Sequence, residues 1–116
     1  MNTVRLEPKD NIAVLHLDNG LTNPVSPALV DDLHKSLDEI AEQARGLVLC
    51  GGQKFFSIGL DLPQLLDLDK DEMRRFWHKF NSLVLKLFTL PIPTACAVEG
   101  HAPGAGAILA LTCDFR

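Results

Sequence analysis

The sequence predicts an α/β fold with a mostly parallel sheet and crossover helices. Three observations carry that expectation. Segments of strand and helix character follow the order strand, strand, helix, strand, helix, strand, helix. The runs at 47–50 and 94–98 are short and largely apolar, as strands buried on both faces are. Each is reached through a segment whose apolar residues step by three and four, the period of a helix with one buried face. A strand entered from a helical crossover pairs in parallel with the strand before it.

The elements follow in order. Residues 2–7 and 11–18 read as two strands, rich in apolar and β-branched residues. Pro8, Lys9 and Asp10 between them supply turn chemistry, which predicts a hairpin. Asp18, Asn19 and Gly20, with Asn23-Pro24 just after, mark a loop. Ser26-Pro27 opens a helix, because Ser caps and Pro is tolerated at the first helical position. Its face is Leu29, Val30, Leu33, Leu37, Ile40, Ala41 and Ala44, and Gly46 is the expected stop. After the strand at 47–50 come a glycine loop and the segment 55–62. A longer helix starts near Asp69 or Asp71, which offer a cap and favourable first-turn charge. Its face is Met73, Phe76, Trp77, Phe80, Leu83, Val84 and Leu87, and Pro91 and Pro93 end it. The strand at 94–98 leads to a glycine- and alanine-rich turn and a buried helix over 107–111.

Composition narrows the function. The chain has 116 residues, 47% hydrophobic and 22% charged, with a net charge of −4. That is a packed domain with no basic patch for nucleic acid and no apolar run of membrane-spanning length. The first ten residues carry neither a signal-peptide nor a transit pattern. The three cysteines, Cys50, Cys96 and Cys113, lie in apolar runs without metal-ligand spacing and read as reduced, buried thiols.

Two loops carry the chemistry. Each follows an apolar strand, contains glycine and leads toward a helix. One is Ser57, Ile58, Gly59, Leu60 and Asp61; the other runs from Pro103 through Gly104, Ala105 and Gly106 to Ala107. Glycine lets a ligand approach the main chain, and a helix N-terminus leaves N–H groups unpaired. Such loops facing one another would aim two backbone donors at one oxygen, as an oxyanion hole does. A glycine-rich strand-to-helix turn taken alone is most often only a tight connection, and Leu109 stands where a dinucleotide fingerprint needs its third glycine.

The two loops with their flanks resemble a known family. The stretch from Phe56 to Leu62, FSIGLDL, resembles the FSAGxDL motif of the enoyl-CoA hydratase/isomerase (crotonase) superfamily. The stretch from Ala97 to Gly106, AVEGHAPGAG, resembles its AINGxxxGGG motif. The ending LTCDFR resembles the LTCDYR of mitochondrial-type Δ3,Δ2-enoyl-CoA isomerases, and the loop from Asp18 to Ser26 resembles their NPVNSLS region.

The resemblance implies a crotonase-like spiral of ββα units, with residues 1–116 as the N-terminal part of a single domain. It implies that the N–H groups of Leu60 and Ala105 polarise the thioester carbonyl of an acyl-CoA. It places Ser57, Ile58, Gly59, Leu60, Asp61, Leu62, Gly104 and Ala105 along the substrate and coenzyme A groove. It implies no metal and no tightly bound cofactor, with coenzyme A entering as part of the substrate. Hydratases of the family use two glutamates, the first two residues after the glycine triplet. That position is Ile108 here, as in the isomerases, which use the second glutamate alone. This second glutamate is expected downstream of Arg116, so residues 1–116 alone are expected to be inactive. Ala105 departs from the family's glycine, which puts a methyl group into the turn. The expected activity is Δ3,Δ2-enoyl-CoA isomerisation in fatty-acid β-oxidation. The alternatives are a hydratase or other enolate enzyme of the superfamily, and a non-catalytic coenzyme A-binding subunit. Family resemblance further implies a homo-oligomer, a trimer or hexamer. The expected location is the cytoplasm in a bacterium, otherwise the mitochondrial matrix or peroxisome.

Overall fold

A computed structural model describes residues 2–116. Strands β1 (Val4–Lys9) and β2 (Ile12–Leu17) form the expected hairpin, antiparallel, with Val4 opposite Leu17 and Lys9 opposite Ile12. The turn sits one step later than expected. Pro8 and Lys9 belong to β1, and the chain reverses at Asp10 and Asn11, with Asp10 at φ 56°. β1 is an edge strand, where a residue without an N–H is tolerated, and Asp is among the few residues that accept the left-handed region.

Helix α1 (Pro27–Gln43) starts where the sequence places it. The Ser26 hydroxyl accepts a hydrogen bond from the Leu29 N–H at 3.2 Å. Its end differs from the expectation. Ala44 caps the helix, and Gly46 is the first residue of β4 (Gly46–Cys50). It stands opposite Ile12 of β2 in the ladder. That pairing is parallel, as is that of β4 with β6 (Thr94–Ala97), which gives one sheet in the order β1-β2-β4-β6.

Three short elements have no counterpart in the sequence reading. β3 (Pro24–Val25) and β5 (Gly59–Leu60) form a separate parallel pair, and α2 (Leu62–Leu66) follows directly. Two-residue strands and a five-residue helix are too short to leave a periodic signature. Helix α3 (Lys70–Phe88) has a full capping box. Asp69 accepts from the Glu72 N–H at 2.8 Å, and Glu72 accepts from the Asp69 N–H at 3.0 Å. Phe76, Phe80, Leu83 and Leu87 turn inward; Trp77 stays 40% exposed and stands edge-on to Phe76 and Phe80.

Helix α4 (Ala105–Thr112) begins two residues before its expected start and is buried on one side only. Leu109 is fully buried, whereas Ile108 and Leu111 are 44% and 66% exposed. Beyond it the chain returns to the sheet. Phe115 pairs with Ala95, and Asp114 and Thr94 exchange two hydrogen bonds of 2.9 Å. The core of leucines, valines and Phe56 fills the space between the sheet and helices α1, α3 and α4. Cys96 and Cys113 are buried there; a hydrogen bond to Cys113, with burial, raises the Cys96 pKa. Cys50 departs from the expectation, being only partly buried at the end of β4.

The N-terminal strand is tied to α1 by one carboxylate. Asp32 accepts hydrogen bonds from the Thr3 hydroxyl at 2.6 Å, the Thr3 N–H at 3.1 Å and the Asn2 N–H at 3.3 Å. Burial pushes its pKa up, but the bonds from Thr3 and Asn2 outweigh that and leave it below 3.8. A lowered folded-state pKa contributes stability above the unfolded value, and that stability is lost as pH falls through the folded value. Asp32→Ala should therefore lower stability by about 1–2 kcal/mol at pH 7 in urea melts. The gap between wild type and variant should narrow as pH drops below 3.8.

Candidate functional site

The two glycine loops meet, and backbone contacts join them. Phe55 pairs with His101, and the His101 carbonyl accepts from both the Phe56 and Ser57 N–H groups, at 2.9 and 3.3 Å. The His101 N–H in turn donates to Lys54 O at 3.0 Å, and its ring lies 5.5 Å from Phe55. His101 is thus a backbone joint between the loops.

Past this joint the contact tightens. A Cβ on Gly106 would stand 2.5 Å from the Ser57 carbonyl oxygen, a distance no side chain tolerates against backbone. A Cβ on Gly59 would stand 3.1 Å from Pro103 O and 3.3 Å from the Ala105 nitrogen, and Gly59 has φ 99°. Glycine at both positions is what lets β5 lie against the first turn of α4.

The two N–H groups singled out in the sequence belong to residues at this contact, Leu60 directly after Gly59 and Ala105 facing it. In the β3–β5 ladder the Asp61 N–H donates to Val25 O at 3.0 Å. Successive N–H groups of a strand point to opposite sides, so the Leu60 N–H points away from β3. Ala105 is the first residue of α4. Gly104, at φ 56°, offers no capping side chain, and a first-turn N–H has no acceptor inside its own helix. The Gly106 N–H folds back to Pro103 O at 3.0 Å, so the turn is closed without using the Ala105 N–H. The Ala105 methyl, the departure from the family pattern, is 5% exposed and packs within the core.

The remaining predicted residues divide by role. Ile58, Leu62 and Ile108 are 40%, 60% and 44% exposed, apolar side chains on or next to the two loops in sequence. Ser57 lies inside. Its hydroxyl is fully buried, donates to Asn23 O at 2.7 Å and accepts from the Gly59 N–H at 3.2 Å, so it braces the loop and presents nothing to a ligand. Asp61 caps α2, accepting from the Gln64 N–H at 3.2 Å. Asp114 is engaged with Thr94, as above. Asn23, absent from the sequence-based site, is 3% exposed, sits at φ 47° and bonds to both sides of its turn. Its only sequence mark is Asn before Pro, which reads as an ordinary loop.

Among the described residues, no three His, Cys, Asp or Glu side chains group as metal ligands. No helix among them is long and apolar enough to cross a membrane. One cavity of about 160 Å³ lies between α1 and α3, lined by Val30, Leu68, Arg75 and Phe76 among others. A second of similar volume lies under the β1–β2 hairpin, against Ile40 and Ala44. Neither is lined by Leu60 or Ala105.

Comparison with known proteins places this arrangement. The chain is 34% identical over 114 residues to the peroxisomal enoyl-CoA delta isomerase 1 of Arabidopsis thaliana, a match covering 95% of this chain and 47% of that protein. It superposes on human mitochondrial Δ3-Δ2-enoyl-CoA isomerase with a TM-score of 0.93 at 28% identity, covering 98% of this chain and 46% of that one. It superposes on an enoyl-CoA hydratase from Bacillus anthracis with a TM-score of 0.91, also at 28% identity, covering 98% of this chain and 46% of that one. The chain therefore has the crotonase fold and spans about half the length of these relatives. The family model for enoyl-CoA hydratase/isomerase matches residues 7–116, and the chain belongs to that family.

Proposed function

We propose that this chain carries the thioester-polarising half of a Δ3,Δ2-enoyl-CoA isomerase acting in fatty-acid β-oxidation. The observation that supports the reading is the closeness of the two loops at Gly59, where a Cβ would stand 3.1 Å from Pro103 O and 3.3 Å from the Ala105 nitrogen, with Leu60 the next residue. The thioester oxygen of a 3-enoyl-CoA accepts from both. A base removes a proton from C2, the electron pair spreads through the carbonyl as a dienolate, and the same proton carrier returns a proton at C4. The double bond moves from C3–C4 to C2–C3 with no net change in atoms or charge. The two N–H dipoles stabilise the negative oxygen of the intermediate, and loss of one such donor costs about 2.7–4 kcal/mol of barrier.

Ile108 favours isomerisation over hydration. It stands one turn into α4, where a hydratase would carry its first glutamate, and an apolar side chain there cannot activate water. Two acidic groups of the motifs have structural partners, Asp61 as a helix cap and Asp114 as a clasp on Thr94. We assign the proton carrier to a carboxylate outside residues 2–116. Ile58, Leu62 and Ile108 provide the apolar rim along which an acyl-CoA would lie. The burial of Ala105 weakens one of the two reasons for reading the chain as a non-catalytic binding subunit, the other being the lack of a base within these residues.

Two measurements test this. The native protein should convert a 3-enoyl-CoA to its 2-enoyl isomer, read by the rise of conjugated-thioester absorbance; hydration of crotonyl-CoA at a comparable rate would overturn the assignment. Gly106→Ala should drive a methyl group into the Ser57 carbonyl and part the two loops. Its kcat should fall by about 10²-fold or more, the loss of one oxyanion donor, while thermal melting shows a destabilisation of about 1–3 kcal/mol. Wild-type turnover in a folded Gly106→Ala protein would show that the loop contact is dispensable.

A further inference from the structure

The segment from Thr22 to Val25 is the template on which the Leu60 loop is built. Four hydrogen bonds join them: Asn23 Nδ2 to Phe56 O at 3.2 Å, Ser57 Oγ to Asn23 O at 2.7 Å, the Ile58 N–H to Thr22 O at 2.8 Å and the Asp61 N–H to Val25 O at 3.0 Å. Two of these involve Asn23, one through its side chain and one through its carbonyl. Ser57 Oγ passes the constraint on by accepting from the Gly59 N–H at 3.2 Å, next to Leu60.

The orientation of the Asn23 amide follows from its partners. Its Oδ1 accepts from the Asn19 N–H at 2.8 Å, and its Nδ2 donates to the Phe56 carbonyl. One partner can only donate and the other can only accept, so the amide cannot flip without losing both bonds. Asn19 is held in its turn, donating from Nδ2 to Pro24 O at 2.8 Å. Asn23 also adopts φ 47° immediately before a proline, a backbone state that Asn, Asp and Gly reach more readily than other residues.

We propose that Asn23 is a positioning residue for the oxyanion hole: its buried amide fixes Phe56 and holds its own backbone so that its carbonyl fixes Ser57, and through them the direction of the Leu60 N–H. The proposal rests on the function proposed above, and it extends the machinery from the two donors to the turn that aims one of them. Asn23 touches no substrate in this scheme.

The test compares Asn23→Gly and Asn23→Asp in the native protein. Both replacements accept the left-handed backbone. Gly removes the amide, whereas Asp keeps its shape but sets a carboxylate oxygen against Phe56 O. Two readouts are taken. The first is the ¹⁵N–¹H signal and hydrogen exchange of the Leu60 amide without ligand. Both variants should shift the signal and speed exchange at Leu60, with the core amides of α1 unchanged. The second is the carbonyl stretch of bound 2-hexenoyl-CoA by difference Raman spectroscopy. Wild type should lower the frequency, and both variants should move it back toward the free value. Their kcat should fall by about tenfold or more, with KM within about twofold, a split that simple destabilisation would not produce. An unchanged Leu60 amide in both folded variants overturns the role of Asn23. A Leu60 amide that moves while wild type leaves the carbonyl frequency at its free value upholds Asn23 as the brace of this loop and overturns the oxyanion reading.

Discussion

The close approach of Gly106 to the Ser57 carbonyl is the constraint on which the site depends. At 2.5 Å from a built Cβ, that oxygen occupies the space where any side chain at position 106 would begin. Backbone contacts of this kind leave little freedom. The first turn of α4 cannot slide along β5 without losing the contact, and β5 cannot lift without breaking its ladder to β3. The loops are thus held by main chain on both sides, and the N–H groups they carry inherit that rigidity. Preorganisation matters because a donor that must swing into place as charge develops forfeits much of its effect to reorganisation.

Main-chain donors also explain what the sequence can vary. An N–H group exists at every residue except proline, so position 105 can be Ala in place of Gly provided its methyl has somewhere to go. Here the residue is buried in the core. The residues that cannot vary are those whose missing side chains make room, Gly59 and Gly106, together with the polar groups that brace the loop from behind. Function is encoded here as absence of bulk and as hydrogen bonds to carbonyls, and little of it as reactive side chains.

This encoding governs what was legible in the sequence. The long elements were, because amphipathic helices and apolar parallel strands leave periodic signatures: α1 and its Ser26 cap, α3 and its Asp69 cap, β4 and β6 all appear where the pattern puts them. Boundaries moved where tertiary packing overrode local preference. Gly46 entered β4 because it pairs with Ile12 of β2, and β1 ran through Pro8 because that strand is an edge. The glycine loops were legible as motifs. That they face one another followed from the resemblance, but the backbone contacts that join them, through His101 and at Gly106, did not, since they link residues far apart in the chain. Asn23 left even less trace. Its amide is satisfied by backbone groups of Asn19 and Phe56, and no residue type at either position advertises that pairing.

The placement of the brace has a physical logic. A side chain that contacts a thioester must tolerate solvent whenever the site is empty, and its hydrogen bonds then compete with water. Asn23 and Ser57, at 3% and 0% exposure, face no such competition. In a low-dielectric interior their bonds are stronger, and leaving any of them unmade is costly. The same burial that hides them from sequence inspection is what lets them hold Leu60 still. The exposed rim of Ile58, Leu62 and Ile108 complements this arrangement. Under the proposed function it would offer an acyl-CoA apolar surface from which water is readily displaced, and each displaced water would lower the local dielectric in which the Leu60 and Ala105 dipoles act. Rigid polar support behind the loops and adaptable apolar surface in front of them serve one end, a strong field at one oxygen.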